Sequence, residues 1–270
     1  MKSSSKNPFV LAQLNRRNIV RYLVQLTIGA TACLLALNQT HAAFHLWGVD
    51  EIYSSADGSV QFIELSCGSS FQNAMATHAI TVSGPLGTHS FTFPANLSST
   101  ATANKNFIIG TSNLASIPGG VTPDYVLTNS VPFLFVHGGG TVTVGITGSI
   151  ITPVTYTDLP TDGDSSLVLS GGVMVPAVTN SPRNFNNQSN SIVAVKFTSA
   201  SANAGDFIMN FRTATGVDQG AGPTYAVDYK NSLADLNWTP LATNAGDGTP
   251  KSVTNALSSA PSRLYRLRVH

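Results

Sequence analysis

The stretch Val49–Leu65, VDEIYSSADGSVQFIEL, constrains the chain most. It is two apolar, β-branched runs separated by Ser54-Ser55-Ala56-Asp57-Gly58-Ser59. Asp-Gly between such runs is a strong short-range hairpin signal, because Gly takes positive φ at no steric cost. A hairpin with an apolar face must bury it against further strands, and the rest of the chain supplies them. Short runs rich in Val, Ile, Thr, Phe and Tyr recur, each bounded by Gly, Pro, Asn or Ser. No stretch beyond the first 42 residues has a convincing period of 3.6, and only 10% of residues are charged. The pattern predicts an all-β sandwich of many short strands.

Residues 1–42 read as a targeting segment. Lys2, Lys6, Arg16, Arg17 and Arg21 form a positive region without an acidic residue, Tyr22–Leu37 is mostly apolar, and Thr40-His41-Ala42 places small residues for a cut before Ala43. The apolar run is short for a membrane span. Retention as an anchor is the alternative to cleavage. A lipoprotein at Cys33 is disfavoured because Ala30-Thr31-Ala32 lacks the usual Leu. A secreted, periplasmic or cell-surface location follows, with no transmembrane span in the mature chain. Removing five of 14 basic residues against 13 acidic ones leaves 9 − 13 = −4, so a polyanion-binding role, nucleic acid included, gains no support. Only Cys67 remains, which excludes an intramolecular disulfide and any zinc site built on two cysteines. Cys67 follows Ile63 and Leu65 at period two and is expected to be a small buried hydrophobe on their face.

The expected strands are His45–Tyr53, Val60–Cys67, Ala79–Ser83, Ser90–Phe93, Asn106–Thr111, Val131–Val136, Thr141–Ile146, Pro153–Asp158 and Ser166–Ser170. Asn113–Asp124 is expected to be a loop, and His137-Gly138-Gly139-Gly140 a hairpin turn. A break is expected at Asn180–Asn187, and then strands at Ser191–Ser199, Phe207–Arg212, Tyr225–Lys230 and Arg263–Val269.

Val49-Asp50-Glu51-Ile52, Asp57-Gly58, Ile63-Glu64-Leu65, a late Ser166-Leu167-Val168-Leu169 and a closing turn from Asn180-Ser181-Pro182 through Asn184 or Asn186 occur in that order over about 140 residues. In this they resemble the lamin-tail domain, an immunoglobulin-like β-sandwich. Arg183 stands where that family usually has Gly, and Ser66 then Cys67 follow the Ile-Glu-Leu. The resemblance implies a module that tethers or recognises and does not catalyse. Residues 191–270, with Tyr225-Ala226-Val227-Asp228-Tyr229, Asn237-Trp238-Thr239 and a closing Arg263–Val269, resemble a small β-sandwich module common near the C-termini of secreted bacterial proteins. The expected organisation is therefore a signal peptide (1–42), a lamin-tail-like sandwich (43–190) and a second small sandwich (191–270). The first sandwich carries 2 basic and 8 acidic residues, net −6, and the second 7 and 5, net +2.

The chemistry on offer is sparse. Glu51 and Glu64 on the opening hairpin are a candidate acid–base pair, against the plainer reading that they serve loop N–H groups or face water. Asp162-Gly163-Asp164-Ser165 resembles a fragment of a calcium loop, but no Glu follows Glu64, so an EF-hand loop fails. Calcium at Asp158, Asp162 and Asp164 stays open beside a plain turn. His45, His78, His89, His137 and His270 lack metal-site spacing. No nucleophile elbow or P-loop is present. Trp47 is expected to be the more exposed tryptophan and Trp238 to fill its module's core. No catalytic, cofactor or metal residue is assigned. The expectation is a secreted non-catalytic binding or attachment protein for an unknown protein or polysaccharide ligand. A carbohydrate-binding module and a cryptic metal-dependent hydrolase are the alternatives.

Overall fold

A computed structural model describes residues 44–128, 132–203, 205–257 and 262–270. The expected targeting segment and its cleavage site lie outside the described residues. In chain order the strands are β1 (Gly48–Ser54), β2 (Gln61–Cys67), β3 (Ala79–Gly84), β4 (Gly87–Thr92), β5 (Lys105–Gly110), β6 (Tyr125–Val126), β7 (His137–Ile146), β8 (Val154–Asp158), β9 (Ser166–Ser170) and β10 (Val173–Ala177). They continue as β11 (Phe197–Asn203), β12 (Asp206–Phe211), β13 (Thr224–Lys230), β14 (Thr239–Ala245), β15 (Lys251–Ala256) and β16 (Leu264–Val269).

The protein is an all-β sandwich structure. A sheet ordered β10-β9-β1-β2-β5-β6 packs against one ordered β4-β3-β7-β8, and two three-stranded sheets follow, β11-β12-β15 and β14-β13-β16. Pairing is antiparallel except at β5–β6. No described strand of β1–β10 pairs with one of β11–β16.

The opening hairpin forms as its residues dictate. Gly58 takes φ 70°, and the Asp57 carboxylate accepts from Ser55 Oγ at 2.7 Å and from Ser59 N at 3.0 Å, closing the turn locally. Along β2 alternate side chains enter opposite layers. Ile63, Leu65 and Cys67 join the main core with Val82, Phe91, Phe107, Val142 and Val144. Phe62 joins a second cluster with Tyr53, Ile108, Leu114, Val121 and Ile192. The central sheet is thus covered on both faces, which explains why β2 is almost continuously buried. The third core, Met209, Phe211, Tyr225, Val227 and Val253, lies between the two small sheets. Val217, in the loop after β12, packs on the second cluster, so this loop touches the outer face of the larger sandwich.

Three expected elements differ. Residues 132–136 form no strand: Gln61, fully buried, accepts from the Phe133 and Leu134 N–H groups (2.7 and 2.9 Å) and donates to the Leu134 carbonyl (2.9 Å). The Tyr156 hydroxyl donates to the Phe135 carbonyl at 3.0 Å, so side chains serve where a ladder would. His137–Gly140 is not a hairpin turn but the first part of β7. Gly139 and Gly140 take positive φ and the register against β8 slips between His137 and Val142, which is a β-bulge. Residues 191–194 form no strand, because Ile192 N donates to Asn180 Oδ1, Val193 N to the Pro118 carbonyl and Ala194 N to Asp164 Oδ1. The ladder begins only at Phe197.

Candidate functional site

Glu51 and Glu64 are direct cross-strand partners on β1 and β2. A bulge at Asp50 shifts the β1 register between Val49 and Glu51. Val49 can then face the main core while Glu51 faces the opposite layer beside Glu64. Neither carboxylate faces water: Glu51 is 3% and Glu64 4% exposed. The closing turn, 180–186, lies over them. Ser181 N donates to Glu51 Oε1 at 3.0 Å, Arg183 N to Glu64 Oε2 at 2.6 Å, and Phe185 N to Asp124 Oδ2 at 3.0 Å. Alternate N–H groups of an extended segment point the same way. Three of them here meet carboxylates from β1, from β2 and from the residue preceding β6. The segment therefore crosses the sheet on a row of acids.

The remaining capacity of these acids is also used. Ser181 Oγ donates to Glu51 Oε2 (3.0 Å), Asn106 Nδ2 to Glu64 Oε1 (2.6 Å), and Ile108 N to Asp124 Oδ2 (2.8 Å). Burial disfavours their charged forms. It raises Asp50, Glu51 and Asp124, and pushes Glu64 up to about 8 against the Arg183 N–H bond, helped by the nearby Glu51 and Asp50 charges. A proton on Glu64 at neutral pH relieves the repulsion of two opposed carboxylates.

The three aspartates do not converge. Asp158, at the end of β8, faces His137 at 3.2 Å on the surface. Asp162 Oδ1 accepts from Asp164 N and Ser165 N (3.0 and 2.8 Å), an Asx turn around Gly163, whose φ is 81°. Asp164 pairs with Lys196 at 3.0 Å and accepts from Ala194 N at 2.8 Å. Among the described residues no group of three or more His, Cys, Asp or Glu is arranged to hold a metal ion.

Both tryptophans reverse expectation. Trp47 is 1% exposed, edge-on to Phe107, with its indole N–H donating to the Gln72 carbonyl at 2.6 Å. That internal acceptor lets a residue near the start of the sandwich be buried whole. Trp238 lies outside the third core, half-buried, with Arg266 and Lys230 over its ring at 4.4 and 5.2 Å. Beneath them Asp228, 1% exposed, is hydrogen-bonded by Arg266 and Arg268 (2.9 and 2.5 Å). Cys67 is buried in the main core and its thiol is raised by burial.

The sequence does not reveal a concave site where the closing turn meets the loop after β12. It is a cavity of about 340 Å³ lined by hydroxyl, amide and guanidinium groups, including Ser181, Arg183, Asn190, Arg212, Thr215 and Gln219. Asn190 ties its two sides together, with Nδ2 donating to the Thr215 carbonyl and Oδ1 accepting from the Thr215 hydroxyl, each at 3.0 Å. The one advance signal was Arg183 in the position of a usual Gly. Arg212 carried none, being an ordinary residue at a strand end. No protein-family model matches the chain, and a search of curated proteins finds no match.

Proposed function

We propose that this is a secreted, non-catalytic binding or surface-attachment protein whose larger sandwich is an immunoglobulin-like, lamin-tail-type module followed by a second small sandwich from residue 191. The observation that carries the reading is the fate of Glu51 and Glu64. A hydrolytic acid–base pair must reach substrate and water. These two are covered by residues 181–185, and their oxygens are engaged by backbone and amide donors. The residues that carry the lamin-tail resemblance, Glu51, Glu64 and the closing turn, are also those hydrogen-bonded to one another. That shared contact supports reading them as one structural device.

The test is an assay of the purified protein on esterase, phosphatase, glycosidase and nuclease substrates, with and without calcium, magnesium and zinc. No turnover is expected. Activity abolished by Glu64→Gln or Asp162→Asn, in protein folded by circular dichroism, would replace this reading with the cryptic hydrolase. A carbohydrate ligand, within the same binding role, is favoured by the hydroxyl- and amide-rich cleft at Asn190.

A further inference from the structure

We propose that the cleft between the closing turn and the loop after β12 binds a carboxylated saccharide, a uronic-acid-bearing glycan. This rests on the reading of the chain as a binding protein and names its ligand class. Arg183 and Arg212 both line the cavity. Among the described residues no side-chain hydrogen bond or ion pair engages either guanidinium. The other arginines of the second sandwich are used: Arg266 and Arg268 on Asp228, and Arg263 on Asn231 and the Tyr229 ring. Arg212 is half-buried and Arg183 exposed.

The acids around the cleft already accept from donors, several of them belonging to the cleft wall itself. Asp218 accepts from Ser189 N, Asp247 pairs with Lys251 at 2.6 Å, and Glu51 accepts from Ser181. Asp50 is the carboxylate whose ionisation Arg183 favours, and it faces Asn106. Two guanidinium forks in a polar recess match planar carboxylates, which accept bidentate pairs. The rest of the lining decides the class of carrier. The hydroxyls of Ser181 and Thr215 and the amide of Gln219 can exchange hydrogen bonds with sugar hydroxyls. Among the described residues no aromatic side chain lines the cavity, so they offer no stacking platform for a nucleobase there. The volume lies at the small end of ligand pockets, suited to one charged sugar of a longer polymer.

The experiment is affinity electrophoresis and calorimetry of the purified protein with polygalacturonate and alginate, with galactan as the neutral control. Binding to at least one of the acidic polymers and not to galactan is expected. Arg212→Gln and Arg183→Gln should each weaken it roughly tenfold or more, as expected for loss of a charge-assisted hydrogen bond. The Arg183 change leaves intact the backbone N–H that serves Glu64. Arg212→Lys, which keeps the charge and loses the fork, should fall between wild type and Arg212→Gln, and it serves if Arg212→Gln does not fold. Binding to neither acidic polymer overturns the proposal. Binding that survives both arginine changes but is lost in Trp238→Ala overturns the cleft while leaving the binding role standing. Cleavage of either polymer by the pure protein would overturn the non-catalytic reading itself.

Discussion

Replacing Glu64 by Gln should make the larger sandwich more stable above neutral pH and leave it nearly unchanged in acid. Glu64 has an ordinary value of 4.5 and is pushed up to about 8 in the fold, mainly by burial. Between those two values the folded chain holds a proton that the unfolded chain has released. Its stabilising contribution is therefore complete below about 4.5, declines as the pH rises, and is lost above about 8. A shift from 4.5 to about 8 corresponds to roughly 5 kcal/mol at about 1.4 kcal/mol per pH unit. Gln is neutral throughout. Its oxygen can still accept from Arg183 N, and Asn106 can turn its amide so that its own oxygen accepts from the new side-chain nitrogen. The Asp50 and Glu51 carboxyls, also raised, remain in the variant, so a smaller slope of the same sign persists. Urea unfolding at pH 5 to 9, followed by the fluorescence of buried Trp47, measures the difference. At pH 5 the two proteins should agree to within about 1 kcal/mol, and at pH 9 the variant should lead by several. Parallel pH profiles, or a variant weaker at pH 9, would refute the argument that burial keeps Glu64 protonated.

Asp228→Asn should destabilise the second sandwich by about 2–3 kcal/mol, less than a fully buried pair because Arg266 and Arg268 are over a third exposed. Asp228 is lowered by those arginines, so its contribution is present above about 3.8 and lost as the pH falls through its depressed folded value; thermal unfolding from pH 7 to 2 shows this. Gln61→Leu should cost roughly 3 kcal/mol or more by leaving the Phe133 and Leu134 N–H groups without an acceptor, read as a lowered urea midpoint. Cys67 should resist a thiol reagent in the native state and react fully in denaturant, as a buried thiol raised by burial does.

What the sequence by itself determined is what neighbouring residues decide among themselves. The Asp57-Gly58 turn was legible because its hydrogen bonds span two to five residues and its positive φ needs Gly. The strands with apolar alternation, the all-β class and the inward face of Cys67 follow from period two alone. The edge strands β14 and β15, reading TPLATNA and KSVTNA, gave no such signal, because an edge strand in a thin sandwich buries little. Tertiary structure decided the rest through partners far apart in the chain. Val131–Val136 has a strand's composition, yet Gln61, 72 and 73 residues away, takes the Phe133 and Leu134 N–H groups. Glu51 and Glu64 were visible as a pair on one hairpin. That they would be roofed by residues 130 and 119 positions later, and so become a clamp rather than an open site, depended on where the closing turn runs. The cleft is the extreme case: Arg183 lies in the closing turn and Arg212 just after β12, and they share a cavity because bonds such as Asn190–Thr215 and Ser189–Asp218 hold the two segments together.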